Sequence, residues 1–340
     1  MLKIGAWNLS LLTNERSKMI AEATAMIGEL ETSLGIPTFA FFANWTGEYA
    51  VDANEEAGHL LSSMIMERTR RTGAEQVALI LGARGGYPAF ADIVLRTVRQ
   101  MGIEVQAVLT CRVDGAVGIL AAGCDSLTLH PQAGIGALDA GLCVVPRREI
   151  DSALLEHWPG DTANLLLGDE GREGIFSRIA NDRLIRNEQY HLACRVLPQP
   201  QRDEDEELDT EVTTDDPLRW ILEAELGRGT TVGTSTLRGQ GLQARVAPDP
   251  LSEQLEDLLD WASSTLHLFS APQDRFQVSE WADEVEFDRA TTVKAAAIVG
   301  IDAVWIHELD TGSPDPDAPR LTGRWRGWDP EAASEQEDDS

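Results

Sequence analysis

Two adjacent glycines follow an apolar segment and are the first feature of this sequence that suggests chemistry. Gly85 and Gly86 come shortly after the apolar run at residues 76–81 (QVALIL). A Gly–Gly turn lets consecutive backbone N–H groups point into a crevice, as an oxyanion hole requires. The alternative is a purely structural strand-to-helix turn, which uses the same glycines. We predict a donor-lined pocket at Gly85 and Gly86.

Two charged residues lie near these glycines in the predicted arrangement. Asp114 precedes a segment of small residues at 115–122, and a carboxyl group there is suited to general acid–base chemistry. The competing hypothesis makes Asp114 a helix N-cap, for which Asp is among the best residues. Arg84 adjoins the glycine pair and is suited to holding an anionic ligand such as a carboxylate. The alternative is that Arg84 is only a solvated residue of the turn.

A cysteine and a histidine offer a second kind of chemistry. Cys111 lies three residues before Asp114, and His130 follows the next apolar segment. Together they are candidates for a substitute nucleophile and its base. Each also fits a structural role, Cys111 as a small core residue and His130 at a strand end. The remaining histidines lack metal-ligand spacing, so we expect neither a metal nor a cofactor.

These residues fall between predicted strands and helices. Apolar runs at residues 36–43, 76–81, 104–109 and 126–129 predict buried strands. Helical periodicity or helix-forming composition at 14–34, 53–71, 88–101 and 114–122 predicts the intervening helices. Strands that alternate with helices at this spacing indicate βαβ units, so the predicted fold class is α/β with a mostly parallel sheet.

The rest of the chain is less regular. We predict mainly helices over 150–198, a strongly acidic linker or loop over 199–217, and helices near 218–226 and 251–268. Residues 291–307 fit one helix and one strand, and the acidic tail beyond 312 is expected to be mobile, with Trp325 and Trp328 docking locally. The predicted division is a core at 1–198, the linker at 199–217, a helical part at 218–310 and a flexible tail at 311–340.

The amino-acid composition indicates which classes of binding partner and which cellular compartment to expect. Twenty-eight Lys plus Arg against 57 Asp plus Glu give a formal charge of −29, which repels nucleic acid and anionic membranes. The four cysteines show no CxxC pairing, which disfavours zinc sites and a disulfide framework. The first ten residues lack a secretion-signal pattern, and no apolar run approaches the ~20 residues of a membrane span. We expect a cytoplasmic protein.

Two stretches resemble a known group of proteins. Residues 79–100 (LILGARGGYPAFADIVLRTVRQ) and 104–142 (EVQAVLTCRVDGAVGILAAGCDSLTLHPQAGIGALDAGL) are similar to the core of the Clp-fold serine peptidases. Within that group the sequence most resembles the serine dehydrogenase proteinase family, which is related to signal peptide peptidase A and Clp protease. The resemblance implies a Clp/crotonase-like fold, with repeated βαβ units, a mostly parallel sheet flanked by helices, and a helical C-terminal extension.

The resemblance also assigns roles, and the sequence departs from them. It makes Gly85 and Gly86 the oxyanion-hole backbone and places the nucleophilic serine at Asp114 or Gly115, where no serine is present. The family histidine falls at 137–139, which reads Ala-Leu-Asp, and the family's Leu-Gly-Pro-Ile-Asp-Pro segment reads IGALDA at 135–140. These departures predict that serine peptidase activity is lost.

Three functions follow as hypotheses. The first is a catalytically degenerate Clp-fold homologue that acts as a scaffold, a regulator or a peptide-binding subunit. The second is an active hydrolase with an unconventional nucleophile such as Cys111 or Asp114. The third is a crotonase-like acyl-binding enzyme, which uses the same hole without a nucleophile. The resemblance further implies a homo-oligomer, and a peptide or protein partner fits the first hypothesis.

Overall fold

The computed structural model describes residues 5–45, 51–136, 138, 191–192, 195, 231–239, 241–266, 268, 292–310 and 322–328. Its helices and strands in chain order are α1 (Gly5–Leu34), β1 (Thr38–Ala43), α2 (Glu55–Thr72), β2 (Gln76–Gly82), α3 (Pro88–Met101), β3 (Glu104–Leu109), β4 (Arg112–Val113), α4 (Gly115–Ala122), β5 (Ser126–Leu129), β6 (Gly134–Ile135), α5 (Thr234–Gly239), β7 (Ala244–Val246), α6 (Asp249–Leu266), β8 (Thr292–Val299), β9 (Val304–Asp310) and β10 (Thr322–Trp328).

The described strands form one large sheet and one small one. The large sheet has the order β10-β9-β8-β1-β2-β3-β5-β7, and β4 pairs with β6 in the small sheet. Strands β1, β2, β3, β5 and β7 run parallel, as βαβ units require. Every residue of β1 is buried, which explains its uninterrupted apolar sequence. The predicted α/β class, with a large sheet flanked by helices, is confirmed.

The C-terminal part differs from the prediction of a helical extension. Residues expected to hold one helix and one strand form two antiparallel strands, β8 and β9, and part of the predicted mobile tail forms β10. The run AAAIV within β8 suits a helix by propensity, but it lies between β1 and β9, and tertiary pairing overrides propensity. The predicted linker at 199–217 and the predicted helix near 218–226 lie outside the described residues. So does the predicted helical region at 150–198, apart from residues 191, 192 and 195, which are helical.

Helices cover both faces of the sheet. Helices α2, α3 and α4 pack on one face, and their buried side chains form a core with the inward residues of β1 to β3. Helices α1 and α6 contact each other on the opposite face. Ile20, Ile27 and Leu30 of α1 are fully buried there. The predicted amphipathic helix therefore packs within its own chain.

The outer strand β10 is fitted to β9 by glycines that lie under aromatic rings. A Cβ at Gly323 would collide with the His307 ring, and one at Gly327 would lie 2.9 Å from Trp305. The ring of Trp325 meets His307 edge-on, with 5.1 Å between centroids. Such ring-on-glycine packing supports a glycine-bearing edge strand. Trp325 is 9% exposed, which agrees with its predicted local docking.

Candidate functional site

The Gly–Gly turn lies at the carboxyl end of β2 and leads into α3. Gly85 and Gly86 both have left-handed backbones, with φ of 71° and 93°. The backbone N–H of Tyr87 donates to the carbonyl of Ala53 at 2.7 Å, and a Cβ at Gly86 would lie 2.7 Å from that same carbonyl oxygen. The turn therefore needs glycine for both its conformation and its close packing on the chain before α2.

Gly115 begins α4 directly beside this turn. Its φ is 56°, and a Cβ there would lie 2.7 Å from the Gly85 Cα and 3.0 Å from the Gly85 carbonyl oxygen. The neighbouring atoms belong to backbone, which cannot swing aside as a flexible side chain can. One of the two positions that the resemblance assigns to the serine therefore has no room for a side chain.

Asp114 lies at the N-cap position of α4 but does not cap the helix with its side chain. Its carboxylate Oδ1 instead accepts the backbone N–H of Gly85 at 3.0 Å. The Asp114 carbonyl oxygen accepts the same N–H at 3.2 Å. The other carboxylate oxygen, Oδ2, lies 3.3 Å from Nε of Arg112. The N–H group predicted to line an oxyanion hole is thus occupied by the chain's own carboxylate.

Burial and nearby cations act on Asp114 in opposite directions. The residue is 6% exposed, and desolvation raises the pKa of its carboxyl group. The positive charges of Arg112 and Arg84 and the Gly85 N–H oppose that rise, and desolvation prevails. A carboxyl group with a raised pKa, held beside backbone donors, has the properties of a general acid–base residue.

Arg84 projects from the same turn and is half-buried. Its guanidinium carbon lies 4.8 Å from the ring centroid of Trp45, a cation–π distance. Its Nε is buried and has no hydrogen-bond partner among the residues that the structure describes. The Trp45 ring therefore packs against Arg84, and the charge of Arg84 acts on both Asp114 and Cys111.

Cys111 and His130 are engaged elsewhere. Cys111 is 8% exposed, its thiol donates to the Arg112 carbonyl, and burial raises its pKa to about 11. His130 accepts the Gln132 N–H at Nδ1, and its Nε2 lies 2.9 Å from a carboxylate oxygen of Glu256 in α6. With Nδ1 accepting, Nε2 carries the proton, so neither ring nitrogen offers a lone pair to a thiol. The geometry does not favour the predicted cysteine–histidine pair.

Sequence reasoning missed Arg112 as the partner of Asp114. The available signal was its spacing, because residues two apart in an extended segment point to the same side. The guanidinium of Arg112 also lies against Gly136, where a Cβ would come within 2.6 Å of its Nε. Trp45, under Arg84, was missed as well, since its contact joins distant parts of the chain.

The described part of the chain holds no group of three or more His, Cys, Asp or Glu side chains placed to bind a metal ion. Among those same residues, no helix combines the length and apolar character that crossing a membrane requires.

Comparison with known proteins gives only weak likenesses. The sequence matches no protein-family model and no curated protein. It is similar to a monofunctional enoyl CoA isomerase from M. smegmatis, with 15% identity and a TM-score of 0.28 over 60% of this chain and 70% of that one. A probable enoyl-CoA hydratase/isomerase from Mycobacterium abscessus shows 14% identity and a TM-score of 0.22, over 41% of this chain and 70% of that one. At these scores neither likeness bears on the site.

Proposed function

We propose that this chain is a catalytically degenerate member of the Clp/crotonase-type proteins, acting as a scaffold, a regulator or a peptide-binding subunit within a homo-oligomer. The observation that carries the proposal is the hydrogen bond from the Gly85 N–H to the Asp114 carboxylate. A donor that already holds a negative charge is not free to stabilise an oxyanion.

Acyl transfer needs a nucleophile, a base and an unoccupied oxyanion donor. Among the described residues, the Gly85 N–H is already occupied, and neither the Gly115 position nor the Cys111–His130 pair supplies a nucleophile with its base. The position of Gly115 admits no serine side chain. The Cys111 thiol, with its raised pKa, is protonated at neutral pH, and both ring nitrogens of His130 are engaged. Support for the wider kinship comes from the resemblance of 79–100 and 104–142, and the cytoplasmic location and the oligomer remain part of the proposal.

A second candidate is a crotonase-like enzyme that binds an acyl group and moves a proton. The buried Asp114 carboxyl with its raised pKa, next to the Gly85 and Gly86 backbone, favours this candidate. It requires Asp114 to release the Gly85 N–H, so that a substrate carbonyl oxygen takes its place. Arg84 would then hold an anionic part of the substrate.

Labelling with reactive probes tests the proposal. The purified protein is treated at pH 7 with a fluorophosphonate and, separately, with iodoacetamide, and adducts are mapped by mass spectrometry while light scattering gives the oligomeric state. We expect a homo-oligomer with no stoichiometric adduct on a serine or on Cys111. A fluorophosphonate adduct on one serine, or rapid labelling of Cys111, refutes the degenerate site. Saturable binding of an acyl-CoA thioester that is lost in Asp114→Asn would favour the second candidate.

A further inference from the structure

We propose that Gly85, Arg112 and Arg84 form a carboxylate-binding site in which Asp114 is the resident, autoinhibitory ligand. The inference rests on the proposed function, because it takes the occupied donor as the reason for inactivity. It goes further in naming the chemical class that the site binds, a small carboxylate.

The groups around Asp114 match those that recognise a free carboxylate. One oxygen takes a backbone N–H from Gly85 at 3.0 Å, and the other lies 3.3 Å from the guanidinium of Arg112. The first contact is a charge-assisted hydrogen bond and the second an ion pair, and both favour a carboxylate over a neutral group. The Arg112 and Asp114 side chains are only 15% and 9% exposed, so water screens the pair little.

The charge of the site also favours an anion. Two guanidinium groups, those of Arg112 and Arg84, act on one carboxylate, which leaves an excess of positive charge in a chain of net charge −29. The Arg84 Nε is buried, and no described residue supplies it with a hydrogen-bond acceptor. Removing the Asp114 side chain would leave both arginines beside a small, electropositive cavity, with the Gly85 N–H held only by the Asp114 carbonyl at 3.2 Å.

The orientation of Asp114 separates this hypothesis from an ordinary N-cap. A capping carboxylate turns towards the first N–H groups of its own helix. The Asp114 side chain makes no such bond in α4 and reaches Gly85, 29 residues away in sequence. The carboxylate therefore forms its hydrogen bond with the turn after β2 rather than with the first turn of α4.

Chemical rescue of the variant Asp114→Ala tests the proposal. We expect it to melt about 2–8 °C below the parent in sodium chloride, because the buried Arg112 guanidinium loses its ion-pair partner and the Gly85 N–H keeps only the Asp114 carbonyl as acceptor. In sodium formate at equal ionic strength at least half of this loss should return, saturating at roughly millimolar concentration or above, since so small an anion binds no more tightly. The parent protein should gain nothing from formate beyond its gain in chloride.

Two control variants make the result specific. Asp114→Asn keeps the volume of the side chain and fills the cavity, so formate should not rescue it. Asp125→Ala removes an exposed carboxylate that also accepts a backbone N–H, that of Val105 at 2.7 Å, but in the described part of the chain no buried arginine pairs with the Asp125 carboxylate. Rescue confined to Asp114→Ala supports the proposal. Equal effects of formate on Asp114→Ala and Asp125→Ala, or no effect on either, overturn it.

The carboxylate site can still be tested if Asp114→Ala does not fold in chloride. Refolding from urea is then compared in formate and in chloride, with recovery measured by size exclusion. Formate-dependent recovery supports the carboxylate site, and equal recovery overturns it. A failure here is distinct from a failure of the proposed function, which only probe labelling of the parent protein would reveal.

Discussion

Replacing Gly115 with serine restores the missing side chain at one of its two candidate positions, and the structure predicts a damaged protein rather than a revived enzyme. The backbone at Gly115 has φ of 56°, which costs a residue with a Cβ about 1–2 kcal/mol. The new Cβ would also lie 2.7 Å from the Gly85 Cα, where only backbone can give way. Overpacking of this kind costs about 1–3 kcal/mol more.

Gly102→Ser provides a matched control. Gly102 ends α3 with φ of 67°, and nothing lies within 4 Å of a Cβ built there. This variant therefore carries the backbone strain without the collision and should lose about 1–2 kcal/mol. Gly115→Ser should lose about 2–5 kcal/mol, the sum of both costs.

Urea unfolding followed by tryptophan fluorescence and circular dichroism measures both variants against the parent. The Gly115→Ser protein is also treated with a fluorophosphonate. We expect no adduct on the introduced serine, because its intended donor, the Gly85 N–H, still holds the Asp114 carboxylate. Equal stability of the Gly115→Ser and Gly102→Ser proteins would refute the close approach of Gly115 to the Gly85 backbone.

Three further predictions concern other parts of the molecule. Gly323→Ala should lose about 1–3 kcal/mol in urea unfolding because its Cβ collides with the His307 ring, whereas Gly233→Ala, with open space around its Cβ, should lose little; equal losses would contradict the ring packing. Alkylation of Cys111 should be slow at pH 7 and rise about tenfold per pH unit up to about pH 11, as mass spectrometry of the labelled peptide can follow. Burial lowers the pKa of His307 to about 4, so the unfolded chain binds its proton first and stability falls as pH drops from about 6.5 to about 4. His307→Leu should flatten the pH dependence of the unfolding free energy between about pH 6.5 and pH 4. An unchanged slope would contradict the lowered pKa of His307.

Most of the described elements before residue 130 were predictable because periodicity and glycine punctuation agree there, although α1 begins at Gly5 rather than at residue 14 and the short strand β4 was not predicted. The structure reproduces the predicted limits of α3, β3 and β5, each bounded by sequence signals such as Pro88 and Gly102. The strand β8 was not predictable, since its alanine-rich run carries no period that separates a helix from a buried strand. Its conformation depends on pairing with β1 and β9, which are distant in the sequence.

The candidate site was predictable in several of its members, although not in Arg112 or Trp45, and it was not predictable in the contacts that its members make. Gly85, Gly86, Asp114 and Arg84 were singled out by residue type and by position at strand ends, and the structure brings them together. The direction of the Asp114 carboxylate was not predicted. The sequence suggested an N-cap for α4, and that suggestion considers only neighbouring residues. The bond to Gly85 depends instead on how closely the turn after β2 approaches the start of α4.

The position of β1 within the sheet has a consequence for synthesis of the chain on the ribosome. β1 ends at residue 43, whereas its antiparallel neighbour β8 begins at residue 292. At ~5–20 residues per second, translation of the intervening chain takes on the order of ten to fifty seconds. Throughout that time one edge of the apolar strand TFAFFA lacks its final partner, and such an edge readily joins other chains. A nascent chain stalled before β8 therefore leaves one edge of its central strand unpaired and open to association with other chains.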